Sequence, residues 1–218
     1  KMNPNLNGIL NYKNNKESDI INKVLSGGKL AGGNPKNKRI ENDFYATDPL
    51  AVEMLMEEYH FNEGSFLEPC IGNGNISKVI KDRFPNSEVV GIDIVDRGYP
   101  NTIIHDFLTY ETDEKYDNII TNPPYSLGKE FVEKGMSLLK DDGKMAMFLK
   151  IQFLEGAKRV EMFKKYPPKY IYTFIKRMPT WNNGQPTDTN GKRWATTMCH
   201  AWFVWEKGYK GEPVVRWL

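Results

Sequence analysis

From residue 44 onward, short apolar runs alternate with longer stretches in which apolar residues recur every three or four positions. Ser65–Leu67, Val89–Ile92, Thr102–Ile104, Asn118–Thr121 and Lys144–Leu149 each read as a strand buried on both faces. Between them, Leu50, Met54, Leu55 and Tyr59 share one helical face. So do Ile76, Val79, Ile80 and Phe84, and then Phe131, Gly135 and Leu138. Thr47 or Asp48 is placed to cap the first helix, with Pro49 in its opening turn. Such strict alternation predicts an α/β fold, a mostly parallel, doubly wound sheet with helices on both faces. Ile171–Ile175 and Ala201–Trp205 are expected to close the sheet, one of them antiparallel, and Pro179–Thr197 reads as loop.

Residues 1–43 have a different texture, rich in Asn, Lys and Gly. They are expected to form an arm, with one short helix over Ser18–Leu25 that stops at Gly27-Gly28. Residues 44–218 are then a single domain, of which 151–198 is the candidate substrate-recognition region. A chain of 218 residues suffices for one such core.

Net charge is only +2, but it is unevenly spread. Residues 1–40 carry eight Lys and Arg against two acids, residues 41–149 nine against twenty-one, and residues 150–210 twelve against four. Basic ends flanking an acidic middle fit a polyanion held on one face. No apolar run approaches the ~18 residues of a membrane span, and Lys1–Leu10 lacks the apolar core of a secretory signal. Two cysteines, Cys70 and Cys199, cannot build a disulfide framework, so a reducing cytoplasm is expected. His60, His105 and His200 lack metal-ligand spacing, and no metal is expected.

Ligands of open α/β sheets sit beyond the carboxyl ends of the strands, and chemistry-bearing residues gather there. Glu68-Pro69-Cys70-Ile71-Gly72-Asn73-Gly74 joins the first strand to its helix, its glycines allowing a ligand close to the backbone. Asp93 ends the second strand, placed to accept from a ribose diol. Asp106 and Phe107 follow the third, suited to the amino group and face of an adenine. A dinucleotide-binding turn would continue G-x-G-x-x-G; here the third glycine is replaced by Ser77. Cys70 lies in this turn without a neighbouring base in sequence, and is expected to be small, buried and inert. The fourth strand runs into Asn122-Pro123-Pro124-Tyr125.

In order and spacing, Phe66-Leu67-Glu68-Pro69, Gly72-Asn73-Gly74, Asp93, Asp106 and Asn122-Pro123-Pro124-Tyr125 resemble the S-adenosylmethionine-dependent amino-methyltransferases. The chain is most similar to the DNA N6-adenine methyltransferases. Phe44-Tyr45-Ala46-Thr47-Asp48-Pro49 resembles the motif that packs on the methionine part of the cofactor, and its position ahead of the glycine turn is similar to the gamma order. The likeness covers about residues 44–150. It implies a Rossmann-like class I methyltransferase fold, S-adenosylmethionine as cofactor, and cofactor contacts at Tyr45, Thr47, Glu68, Pro69, Gly72, Gly74, Asp93, Ile94, Asp106, Phe107 and Asn122.

The chemistry needs this tetrapeptide. Adenine's exocyclic amine is a poor nucleophile because its lone pair is delocalised into the ring. Acceptors at the Asn122 side-chain oxygen and the Pro123 carbonyl can each take one N–H, favouring a pyramidal nitrogen. Pro123 and Pro124 fix φ and offer no competing donor. Tyr125 offers a face for a base flipped out of the duplex.

No large target-recognition domain is evident. Trp181, Lys192, Arg193 and Trp194 are the candidate substrate contacts, cations for phosphates and indoles for bases. Nucleic acid is the expected partner, DNA ahead of RNA, with a protein partner able to supply specificity. Ribosomal RNA adenine and protein glutamine pose the same planar-nitrogen problem and remain alternatives, as does an inactive cofactor-binding DNA module. Richness in Asn, Lys and Ile fits an AT-rich genome, bacterial or from a phage or mobile element.

Overall fold

The computed structural model describes residues 44–218; the arm and short helix expected before residue 44 lie outside them. Ten strands run in chain order: β1 (Tyr45–Thr47), β2 (Phe66–Glu68), β3 (Val89–Asp93), β4 (Ile103–Ile104), β5 (Tyr116–Thr121), β6 (Leu139–Lys150), β7 (Tyr170–Thr173), β8 (Thr180–Asn182), β9 (His200–Glu206) and β10 (Val214–Trp217). Helices α1 (Pro49–Glu58), α2 (Asn75–Arg83), α3 (Gly128–Leu138) and α4 (Val160–Lys165) punctuate them. Eight strands form one sheet in the order β10-β7-β9-β6-β5-β2-β3-β4, and β1 pairs with β8 in a separate ribbon. Every pairing in the large sheet is parallel except those of β9, which runs against both β6 and β7.

The alternation of side chains along the central strands builds two cores from one sheet. Met145, Met147 and Leu149 of β6 and Ala201, Phe203 and Trp205 of β9 face one side, with Phe131, Val132 and Met136 of α3 and Met162 of α4. Ala146, Phe148, Trp202 and Val204 face the other, with Ala51, Val52 and Leu55 of α1 and Ile76 and Ile80 of α2. The buried indoles find partners: Trp202 Nε1 donates to the Ala51 carbonyl at 2.8 Å, and Trp205 Nε1 to the Tyr166 carbonyl at 3.0 Å.

The capping expected at the first helix is made by Asp48, whose carboxylate accepts from Leu50 N at 3.0 Å, with Pro49 at the first helical position. β1 is a strand where only a motif is expected, and three further strands depart from the expected pattern. Thr180–Asn182 lies within the segment read as loop, yet pairs with β1. That segment is polar because the ribbon lies outside both cores. β10 adds a further edge strand beside β7, and its side chains are exposed on both faces, which erases any hydrophobic alternation. β6 begins five residues earlier than expected, through an irregular turn in which Asp142 takes φ +60°.

Trp202 tests how the sheet is fastened to α1. Replacing Trp202 with Phe removes the bond to the Ala51 carbonyl and leaves a void, and is expected to destabilise the fold by about 1–3 kcal/mol. The shift in the urea-unfolding midpoint at unchanged slope reads this out.

Candidate functional site

The turn after β2 is shaped by two left-handed glycines, Gly72 at φ +55° and Gly74 at φ +79°. Glycine adopts such angles at no steric cost. Each also has a close neighbour: a Cβ on Gly74 would overlap the Tyr99 ring, and one on Gly72 would sit 3.0 Å from the Phe44 ring. The turn is latched to the next strand by Ile71 N donating to the Ile92 carbonyl at 2.9 Å. Asp93 completes the latch. Its carboxylate accepts from Gly72 N at 2.9 Å and from Val95 N at 3.1 Å, while the residue itself is buried. Each carboxylate oxygen has a second lone-pair direction, so the group can shape the turn and still accept from a ligand hydroxyl.

β1 runs beside this turn and uses both of its edges. On one side it pairs with β8, extended by Asn183 N donating to the Phe44 carbonyl at 2.8 Å. Two asparagine side chains hold other β1 carbonyls: Asn75 Nδ2 donates to Thr47 O at 2.9 Å, and Asn122 Nδ2 donates to Tyr45 O at 2.8 Å. The second contact fixes the Asn122 amide. A carbonyl oxygen accepts only, so the nitrogen must face Tyr45 and Oδ1 must point away from it.

Several buried polar atoms around this edge have no partner among the described residues: Thr47 Oγ1, Asn73 Oδ1, Tyr125 Oη and Asn182 Oδ1. Buried polar groups are nearly always satisfied. Their concentration on the segments flanking the glycine turn is the pattern expected of a polar ligand site. Ile94, immediately after Asp93, is 64% exposed and offers an apolar face to a flat ring. Phe107 instead turns into the core, 5.0 Å from the Phe131 ring, so its face is spent on packing. Asp106 is exposed, one oxygen accepting from Leu108 N at 2.9 Å. Glu68 is fully buried and hydrogen-bonded to Ser77 Oγ, and Pro69 is buried beside it. Burial holds the Glu68 carboxyl well above the usual carboxylate range. The Cys70 thiol is likewise pushed up by burial, and Asp93 adds to the effect, which leaves it a poor nucleophile.

Tyr125 opens the short turn after β5. Lys150 Nζ lies 4.9 Å from its ring centroid, and the His200 ring lies 5.8 Å away. His200 in turn stacks on Phe148 at 4.9 Å, with Nδ1 2.9 Å from the Met178 carbonyl, which sets that nitrogen as the protonated one. Sequence reasoning missed both Lys150 and His200. Each ends or begins a strand of apolar residues and carries no motif of its own.

The basic residues of the recognition region divide by end of the sheet. Lys169 precedes β7, at the end away from Asn122, and pairs with Glu206 at 2.7 Å. Lys164 pairs with Glu161 at 2.8 Å, and Arg159 is bound to the Glu155 carbonyl. Lys176, Arg177, Lys192 and Arg193, together with Lys150 at the end of β6 just before this region, fall at the carboxyl end of the parallel strands, which is the end that carries Asn122. Trp181 is half-buried, its indole N–H donating to Asp48 at 3.2 Å, so it anchors the ribbon; Trp194 Nε1 donates to the Gln185 carbonyl at 2.6 Å. Among the described residues no cluster of three metal-ligating side chains occurs, and no helix is long and apolar enough to cross a membrane.

Comparison with known proteins assigns the architecture. A Listeria monocytogenes protein assigned to the class I S-adenosylmethionine-dependent methyltransferases superposes with a TM-score of 0.56 over 90% of this chain and 70% of its own, at 13% identity. The chain has the class I methyltransferase fold. The methyltransferase subunit of a type I restriction-modification system from Streptococcus thermophilus superposes at 0.55, over 80% of this chain and 48% of that one, again at 13% identity. In sequence, the chain is 35% identical over 99 residues to the type II methyltransferase M.CvrRI of Paramecium bursaria Chlorella virus XZ-6E. That match takes in 41% of this chain and 26% of the viral enzyme, so the chain spans about a quarter of that relative's length. No family model matches the chain.

Two expectations follow from the site's geometry. Asp93→Asn leaves one acceptor oxygen for two backbone donors. It is expected to destabilise the protein by about 1–3 kcal/mol, seen as a lowered thermal midpoint, and to weaken adenosyl-ligand binding by calorimetry. His200 is held below its usual value, chiefly by burial and further by the Lys150 charge, against the opposing Met178 bond. The unfolded chain therefore binds the extra proton first, and stability falls as pH drops through the ordinary histidine range. His200→Phe is expected to flatten that part of the thermal midpoint against pH between about 7.5 and 5.5, a window set by the free histidine value near 6.5.

Proposed function

We propose that this protein is an S-adenosylmethionine-dependent DNA methyltransferase that modifies the N6 amino group of adenine. The single observation that carries the reading is the orientation of Asn122: its amide nitrogen is spent on the Tyr45 carbonyl, so its oxygen is the atom offered outward at the start of Asn122-Pro123-Pro124-Tyr125. An acceptor there has a use when the substrate is a donor, and a planar amine is a donor that benefits from being pulled out of plane.

The residues present fit the cofactor. Gly72 and Gly74 shape the turn, Asp93 has acceptor capacity to spare, Ile94 presents an apolar face, and Thr47 Oγ1 and Asn73 Oδ1 lack partners. S-adenosylmethionine, when bound, supplies a methyl group activated by a sulfonium. Asn122 Oδ1 and the Pro123 carbonyl then take the two N–H groups of the amine and aim its lone pair. The rigid Pro123-Pro124 pair keeps those acceptors from relaxing toward solvent. Tyr125 lines the base pocket beneath the Lys150 ammonium. No side chain need act as a base, because the methylated ammonium loses its proton to water readily.

DNA is the favoured substrate on two grounds. Five cations share the carboxyl end of the sheet with Asn122, and the viral relative is by name a type II methyltransferase. An extruded base is needed because the amine of a stacked, paired adenine cannot reach Asn122.

The test offers labelled S-adenosylmethionine with unmethylated duplex DNA, single-stranded DNA, ribosomal RNA and a cell protein extract, followed by digestion of the products. N6-methyladenine from DNA is the expected product. Label confined to RNA or to glutamine would replace the substrate. Asn122→Ala is expected to lower turnover at least about 100-fold with the circular dichroism spectrum unchanged. Near-normal turnover in that variant would exclude the acceptor-pair mechanism.

A further inference from the structure

The segment from Asn183 to Trp194 rises from the end of β8 as a tight hairpin. Asp188 N donates to the Lys192 carbonyl at 2.8 Å, and Thr187 bridges Arg193. The Asp188 carboxylate caps the turn by accepting from Asn190 N and Lys192 N, each at 2.9 Å. Gly191 at the tip takes φ +75°, and a Cβ there would meet nothing within 4 Å. A turn so tied internally and standing in open space presents its two adjacent cations, Lys192 and Arg193, to solvent rather than to the protein.

Its root joins both halves of the candidate site. β8 pairs with β1 at Tyr45↔Asn182, and the Tyr45 carbonyl is held by Asn122. One strand spacing and one side chain thus separate the hairpin's base from the reacting end, on the order of 10 Å. The same root rests on the glycine turn. Gly184, at φ +71°, is packed so closely that a Cβ would overlap the Asn73 amide and lie 3.2 Å from the Phe44 ring. The Phe44 ring reaches Gly72 of the turn and carries the Arg97 guanidinium, from the loop after Asp93, at 4.1 Å. Asn73 Oδ1 and Asn182 Oδ1, at the two ends of this contact, are buried without partners.

We propose that this hairpin grips the phosphates of the DNA strand that carries the target base, and that its seat on the glycine turn makes cofactor and DNA bind with positive coupling. The inference rests on the function proposed above. A ligand that orders Asn73 and the glycine turn fixes the surface against which Gly184 is seated, and so fixes Lys192 and Arg193. By reciprocity, DNA held by the hairpin steadies the turn.

The experiment measures binding rather than turnover. A fluorescein-labelled unmethylated duplex is titrated with the full chain, with and without saturating S-adenosylhomocysteine, across a salt series. In the wild type the adenosyl ligand is expected to tighten DNA binding at least about fivefold. The double variant Lys192→Ala, Arg193→Ala should bind DNA more weakly, with a salt slope shallower by about two, and bind S-adenosylhomocysteine unchanged. Gly184→Ala keeps both cations but unseats the root, and its fivefold enhancement should shrink below about twofold. If that variant does not fold, Trp181→Phe, which removes the bond to Asp48 and part of the half-buried indole at the root while keeping both cations, serves for the same comparison. Equal wild-type affinity with and without the ligand overturns the coupling, and an unchanged salt slope in the double variant overturns the grip. A wild type that methylates no DNA and binds none at low salt overturns the underlying reading instead.

Discussion

Much of this site hangs on a strand of three residues. Tyr45–Thr47 contributes little to either core, yet its backbone is engaged along both edges, by β8 on one and by Asn75 and Asn122 on the other. The two asparagines belong to the separate motifs that follow β2 and β5. Through β1 their distance apart is set by one short stretch of extended backbone, which cannot stretch and bends little. Two side-chain amides thus do what a buried cross-link would do, at ordinary hydrogen-bond strength. The Asn122 bond also chooses that amide's orientation, so one contact fixes both the scaffold and the atom that Asn122 presents.

A site fastened this way sits at the rim of a sheet whose centre is densely packed. The strands β5, β6 and β9 are buried on both faces, and their aromatic residues interlock across the layers: Phe148 meets Trp202 edge-on at 5.1 Å and stacks on His200 at 4.9 Å. His200 therefore passes the packing of the core to Tyr125, whose ring it approaches. Lys150 lies over that same ring, so one face of Tyr125 carries a cation.

The main architecture was legible because its strands are doubly buried and its helices amphipathic, so that short continuous apolar runs and the period of 3.6 stand out in the letters. A cap at Thr47 or Asp48 and the glycine turn were legible for a local reason: each requires a particular residue type at a particular backbone angle. What escaped is non-local or polar. β8 is Thr180-Trp181-Asn182, half-buried throughout, and only its pairing with β1, some 135 residues away, makes it a strand. β10 is exposed on both faces. Phe107 was read toward the ligand because it follows Asp106, but a two-residue β4 and the turn after it carry its ring into the core. The tryptophans of the recognition region looked like base contacts in a polar segment, and Trp181 proves to hold the ribbon to the cap of α1.

The polar character of that ribbon has a mechanical consequence. A hydrophobic root would have fixed the hairpin to the core regardless of what filled the site. This root is held by a short strand pairing, one indole hydrogen bond and a close glycine contact with the glycine turn after β2. Each bond contributes about 1 kcal/mol, so the hairpin's position is sensitive to its neighbours in a way that the sheet is not. Segments of low local stability are where proteins place elements that must respond to a ligand. The features that hid the ribbon from sequence reasoning, few apolar residues and contacts far apart in the chain, are the same features that let it report the state of the turn beneath it.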